Sequence, residues 1–343
     1  MTSMERTLTA LGHKEPDRVP LFLLFSHYGA KHLGLTTKEY FASPENIIKA
    51  QIELQREFKS DCFYTFCYAA LETEAMGGIV YFPEETPPNS ASPIFHEDQD
   101  IKDFKIPKIS TSEPLSRVLE VTKALSDESK GNVPIIGVVM SPFSLPVMQL
   151  GFDKYIEMLY LKPDLFKELM QKNQEFCINW ANSQLEAGAT AICYFNPLSS
   201  REMTEKDLYH RTGFPVDLET TKKINGPIAT HLASSLALPS IDEVLQTGSA
   251  VLGISQRDDL ALLKSKSRNK ITLLGNLSGI NLVHANEEEI DKSIKTLIQE
   301  AGEGGGLIIS DNHGEIPWQV PKTALHQIVK SIEKWGTYPL IPG

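Results

Sequence analysis

Pro134–Met140 reads PIIGVVM, seven apolar residues in a row built around two pairs of β-branched side chains. The run is too short for a buried helix. It also lacks the apolar–polar alternation of a strand with one wet face, so it reads as a strand buried on both faces. Seven other runs share this character: Val19–Phe25 (VPLFLLF), Cys62–Cys67 (CFYTFC), Thr190–Phe195 (TAICYF), Pro227–Leu232 (PIATHL), Ala250–Ser255 (AVLGIS), Ile271–Leu277 (ITLLGNL) and Gly306–Asp311 (GLIISD). Gly, Pro, Asp or Asn bounds each. Helical patterns lie between most of them. Ser43-Pro44-Glu45 reads as a cap with Pro at the first helical position, opening a helix to about Lys59. Tyr155–Leu185 holds two helical stretches parted near Lys162-Pro163, and Ser240-Ile241-Asp242-Glu243 fits a capping box. Asn286–Ala301 and Val320–Trp335 are amphipathic and stop at Gly302 and Gly336. This repeated beat predicts the α/β class and a (β/α)8 TIM barrel, with an N-terminal helical segment and an excursion after strand 2. The excursion is Ile79–Asn132, where Pro83, Pro87, Pro88, Pro93 and Pro107 break the beat.

Composition narrows the function. The 343 residues are 41% hydrophobic and 22% charged, enough for a full core, and residues 1–343 are expected to form one domain. Lys and Arg number 33 against 44 Asp and Glu, a formal net charge of -11. That balance disfavours nucleic acid and anionic membrane as partners. No apolar run approaches a membrane span, and the first residues do not read as a signal peptide. Cys62, Cys67, Cys177 and Cys193 are too scattered for a disulfide scaffold, so a reducing cytoplasm is the expected location.

In a (β/α)8 barrel the chemistry sits where the strands end. The expected mouth therefore gathers His27 and Tyr28 after the first strand, and Tyr64, Tyr68 and Glu72 around the second. Tyr194 and Asn196 end the fourth, His231 the fifth, Asn276 the seventh, and Asp311 and His313 the eighth. Few lysines or arginines join them, so a substrate rich in phosphates or carboxylates would find little to bind. His231 reads either as a metal ligand or as a hydrogen-bonded structural or substrate-contacting imidazole. His313 beside Asp311 reads either as an imidazole oriented by a carboxylate or as part of a capped loop. The tyrosines suit an aromatic pocket or strand-end packing. Gly302–Gly306 (GEGGG) precedes a strand and lacks the dinucleotide-binding order.

Several blocks resemble the uroporphyrinogen decarboxylase superfamily, in family order along nearly the whole chain. They are Glu5–Pro20 (ERTLTALGHKEPDRVP), Glu74-Ala75-Met76-Gly77-Gly78, Gly275-Asn276-Leu277 and His313-Gly314-Glu315-Ile316-Pro317. The resemblance implies the same barrel. It departs from the decarboxylases at their Arg-containing loop, where this chain has Ser26-His27-Tyr28-Gly29-Ala30, and at their aspartate, where it has Cys67-Tyr68. In character it lies nearer the corrinoid-dependent methyltransferases. Their zinc is held by His-x-Cys on the fifth strand and a later cysteine. Here His231-Leu232-Ala233 retains only the histidine, and no cysteine follows Cys193.

The resemblance thus implies methyl transfer between a small methylated compound and a corrinoid (cobalamin) carried by a partner protein. His313 and Asp311 are the expected catalytic pair, with His231 as the ligand of any zinc. His27, Tyr28, Tyr64, Tyr68, Glu72, Tyr194, Asn196 and Asn276 are expected to hold substrate. Uroporphyrinogen decarboxylation and a non-catalytic small-molecule-binding barrel are the alternatives, and a homo-oligomer is left open.

Overall fold

A computed structural model describes residues 1–340. Each of the eight sequence runs contains one strand of a single parallel sheet. In chain order the strands are β1 (Leu21–Phe22), β2 (Phe63–Tyr64), the hairpin β3 (Val80–Tyr81) and β4 (Asn89–Ser90), then β5 (Ile135–Met140), β6 (Ala191–Phe195), β7 (Ile228–His231), β8 (Val251–Gly253), β9 (Thr272–Leu277) and β10 (Leu307–Asp311). The hairpin stands apart from the sheet, whose order is β1-β10-β9-β8-β7-β6-β5-β2. No helix among the described residues is long and apolar enough to cross a membrane.

The two-residue side-chain period of a strand explains why the runs are apolar throughout. One set of side chains points to the barrel axis: Phe22, Leu24, Cys62, Tyr64, Ile136, Val138, Cys193, Val251, Leu274 and Ile308 pack together there. The alternate set, including Leu21, Leu23, Phe63, Ile135, Val139, Ile192, Tyr194, Leu273 and Ile309, packs outward against the helices. Ser43 caps the helix Pro44–Phe58, and the chain breaks between the helices Phe152–Leu161 and Pro163–Glu186, both as the sequence implies. Two expectations change. The excursion is shorter, because Glu113–Ser129 is a regular helix packed on the Pro44–Phe58 helix and on β5. The capping box at Ser240 does not form. The Ser240 hydroxyl has no partner, and Glu243 instead meets His210 at 2.9 Å.

The sheet closes between its two shortest strands, and side chains complete the seam. The Asp61 N–H donates to the Leu21 carbonyl at 2.6 Å, and the Leu21 N–H returns a bond to Asp61 Oδ2 at 2.9 Å. The Leu23 N–H reaches Ser60 Oγ at 3.1 Å. The Asp61 carboxylate, 1% exposed, also accepts from Arg6 Nη1 at 2.6 Å and Arg18 Nη1 at 2.7 Å. Arg6 lies on the helix Ser3–Leu11, so the N-terminal helix is tied to the seam. Breaking a buried ion pair from one side leaves the other charge uncompensated. Asp61→Ala is therefore expected to lower the free energy of unfolding by about 3–5 kcal/mol. Urea denaturation measures this, and a loss below about 1 kcal/mol would show that the seam closes without the carboxylate.

Candidate active site

Register decides which strand-end side chains face the axis. On β7, Ala229 packs on the barrel interior, so His231 two residues later shares that face. Its neighbour across the ladder, Phe195 on β6, stacks on the imidazole with ring centres 5.4 Å apart and 17° between planes. Gly253 on β8 makes room on the other side, since a Cβ there would lie 2.9 Å from His231 Cδ2. The Ala233 N–H donates to Nδ1 at 3.2 Å, which places the ring proton on Nε2. Nε2 is buried and has no partner. Burial, with the nearby His313 imidazole, pushes the His231 pKa down to about 4.

The loop after β10 folds over this ring. Asp311 is fully buried, and its Oδ1 accepts the N–H groups of His313 at 2.9 Å and Gly314 at 2.7 Å. Its other oxygen, Oδ2, is unpartnered. Burial pushes the carboxyl up to about 6 in spite of the loop amides of Gly314, His313 and Glu315, and the Glu315 charge adds to the shift. Gly314 has φ +102°, and a Cβ there would lie 3.3 Å from the Phe195 ring and 3.7 Å from His231 Cε1. Its carbonyl accepts from the Tyr64 hydroxyl at 2.9 Å. Glu315 meets His27 Nδ1 at 2.9 Å, and the Trp318 N–H donates to His27 Nε2 at 3.3 Å. Ser310 Oγ, Asp311 Oδ2, Asn312 Oδ1, His313 Nδ1 and His231 Nε2 form a group of buried polar atoms without partners. Buried polar groups are normally bonded, so such a concentration without protein partners at the C-terminal end of a barrel makes this the candidate site.

His231, Asp311, His313, Tyr64 and Asn276 thus come together at the mouth. Asn276 stands opposite Ser310 in the ladder, its Nδ2 donating to the Ser255 carbonyl at 3.4 Å. Asp311 does not orient the His313 ring, because its bonds go to the loop backbone. Burial also holds the His313 pKa below its usual value. The other expected residues lie elsewhere in the structure. His27 fastens the loop and does not open to a pocket. Tyr28 is buried among the helices with its hydroxyl on the Val320 carbonyl at 3.1 Å. Tyr68 bonds Glu74 and packs edge-on against Phe41 and Phe82. Glu72 accepts from the Met140 N–H at 3.1 Å, and burial lifts its pKa to about 7. Tyr194 and Asn196 each donate to the buried Asp217 at 2.7 Å, on the outward face of the barrel. Phe195, Gly253 and Gly314 were missed. The inward register of Cys193 and Phe195, against the outward Tyr194, was the signal for the first.

Zinc does not fit this donor set. Nδ1 of His231 is engaged by Ala233, and no three His, Cys, Asp or Glu side chains converge on a metal site among the described residues. The four thiols are buried, and burial pushes Cys193 up to about 12, far from the thiolate a metal needs.

Polar groups converging at the strand ends of a closed parallel barrel define a (β/α)8-barrel enzyme. The chain belongs to the uroporphyrinogen decarboxylase (URO-D) family, whose model matches residues 2–335. It is 24% identical over 329 residues to a uroporphyrinogen decarboxylase of Psychromonas ingrahamii, covering 90% of this chain and 91% of that one. It is 26% identical over 290 residues to another from Serratia proteamaculans, covering 81% and 80%. Among solved structures, a methyltransferase from Methanosarcina mazei superposes with a TM-score of 0.87 at 19% identity, over 97% of this chain and 99% of that one. A B12-independent methionine synthase from a Shewanella species reaches 0.53 at 11% identity, over 84% and 86%.

Two outcomes follow from the packing of the site. Gly253→Ala must displace the His231 ring, and overpacking of this kind costs about 1–3 kcal/mol. A thermal melt together with the imidazole resonances of His231 checks it, and an unshifted ring would contradict the tight fit. Asp311 ionises less readily in the folded chain than unfolded, so its charge costs stability above about pH 6. That cost fades as the pH falls toward about 4, where the carboxyl is protonated in both states. Asp311→Asn, which keeps an oxygen for the two amides, is expected to gain about 1–3 kcal/mol at pH 7. Denaturation at both pH values should show that gain vanish at the lower one.

Proposed function

We propose that this enzyme moves a methyl group between a small methylated compound and a corrinoid carried by a partner protein. The observation that carries the reading is the charge of the mouth. A buried carboxylate with a free oxygen lies there, and no lysine or arginine contributes to the shift of either imidazole. Of the cations on nearby loops, Arg257 bonds Glu202, Lys31 bonds the carbonyls of Trp318 and Val320, and Arg201 stacks on the Tyr209 ring. A tetrapyrrole bearing eight carboxylates would meet repulsion where it needs charge-assisted bonds. A small methylated molecule needs only positioning in line with the cobalt and shelter from water. The methyltransferase from Methanosarcina mazei shares this fold and is compatible with the reading.

In this reading the Asn312–Ile316 loop covers the reacting centre. The Ile316 N–H bonds the Leu24 carbonyl at 3.0 Å, and Tyr64 and His27 hold the middle of the loop. His231 Nε2–H and the free Asp311 oxygen provide one donor and one acceptor to fix the donor molecule. Decarboxylation of uroporphyrinogen is the second reading, favoured by the names of the relatives at 24–26% identity.

The purified protein with cob(I)alamin and a panel of methyl ethers, methylamines and methyl sulfides tests both. Methylcobalamin, followed by absorbance, is the expected product. His231→Ala and Asp311→Asn should each lower kcat/KM by about a hundredfold. Efficient conversion of uroporphyrinogen to coproporphyrinogen would overturn the proposal.

A further inference from the structure

The barrel axis carries a second chamber below the mouth, and we propose that it binds a small, neutral, apolar molecule of hydrocarbon character. Binding there does not depend on methyl transfer. The chamber has a volume of about 80 Å³. One face of the helix Ser3–Leu11 forms its floor, where Met4, Thr7, Leu8 and Leu11 recur at helical spacing. Its walls rise to Tyr64, whose hydroxyl holds the Gly314 carbonyl of the covering loop at 2.9 Å. The chamber and the mouth thus meet at one side chain.

Side-chain size explains why the space exists. The interior of a (β/α)8 barrel is normally filled by layers of bulky branched residues. On β5 and β8 the inward positions hold Ile136 and Val251, but on the neighbouring strands β6 and β7 they hold Ala191 and Ala229. The helix Ser3–Leu11 does not stop the gap. Leu8, on the floor, is 56% exposed, and Ala191 and Ala229 are only partly buried although they face the axis. Pro134, Thr190 and Pro227, which immediately precede β5, β6 and β7, line the lower edge. The chamber therefore opens at the N-terminal face, opposite the mouth.

The lining decides the chemistry of the ligand. It contains no Asp, Glu, Lys, Arg or His, so an ion would lose its hydration and find no counter-charge. Of its three hydroxyls, that of Tyr64 is bonded to Gly314, and that of Thr190 accepts the Ile135 N–H at 3.0 Å. Only the Thr7 hydroxyl is buried without a partner. A bound water needs about two to four polar partners, which one hydroxyl cannot supply. Water is therefore held poorly, and a carbon surface replaces it favourably. Size follows from volume. A dry cavity of about 150 Å³ takes benzene, so a chamber of about half that volume suits about three or four carbons.

Xenon and cyclopropane test this, with acetamide as a polar molecule of similar size, followed by methyl NMR of the full chain. The methyl groups of Ala191, Ala229, Leu274 and Ile308 line the chamber and should shift saturably with both apolar molecules. Cyclopropane should bind at least about tenfold more tightly than acetamide. Ala191→Val and Ala229→Val each restore a branched side chain and should weaken xenon and cyclopropane by at least about fivefold. Leu262→Ala, at an exposed leucine outside the chamber, should change neither. Where a valine variant does not fold, competition in the wild type decides: xenon and cyclopropane displace each other at one site. Independent binding of the two, no saturable binding to the folded wild type, shifts spread over surface methyls, equal binding of acetamide, or undiminished binding by the folded valine variants would each overturn the proposal.

Discussion

The buried carboxylate of Asp61 is the point on which the barrel depends. A closed sheet leaves no edge, but closure here falls between strands of two residues each, too short for a ladder of their own. Asp61 and Ser60 supply the missing bonds with a backbone amide and two side chains. The carboxylate is tolerable inside the protein because Arg6 and Arg18 neutralise it. With the seam held, β10 and its loop lie beside β1, and His27 can reach Glu315 and Trp318 across it. The residues Glu5–Pro20 that resemble the family are therefore structural. They contribute Arg6 and Arg18 to the closure and take no part at the mouth.

The mouth obeys the opposite rule. Asp61 is buried and fully paired, whereas Asp311 is buried with half its bonding capacity unused. Desolvation raises its pKa, and the loop amides only partly offset that. His231 shows the same pattern, clamped between Phe195 and Gly253 with one nitrogen free. Proteins retain such unfavourable arrangements chiefly where a ligand completes them. The Asp217 network shows the contrast: its carboxylate receives Tyr194, Asn196 and Tyr209, and nothing is left to bind.

The expected residues that lie away from the mouth share one cause, since proximity to a strand end is not the same as access to the mouth. Tyr194 sits one residue before Phe195, and that single step turns it from the axis to the helices. Tyr28 and Tyr68 lie past their strands, where the chain has already entered helical packing. Glu72 ends near β5 because it satisfies the Met140 amide, a tertiary contact between residues 68 positions apart. Asp311 was expected on the His313 ring, but the amides of His313 and Gly314 follow it immediately in the chain and take the oxygen first.

The sequence alone determined eight strands, their burial on both faces, and hence a parallel barrel with its chemistry at one end. Those features are local, set by apolar runs and by the two-residue period of a strand. It also shows few lysines or arginines at the strand ends, since position along the chain suffices for that. Only the tertiary structure decided that Asp61 closes the sheet, that His231 keeps its proton on Nε2, and that Asp311 retains a free oxygen. Each depends on which distant groups arrive within bonding distance once the barrel has closed, and desolvation there sets the ionisation that no stretch of sequence carries by itself.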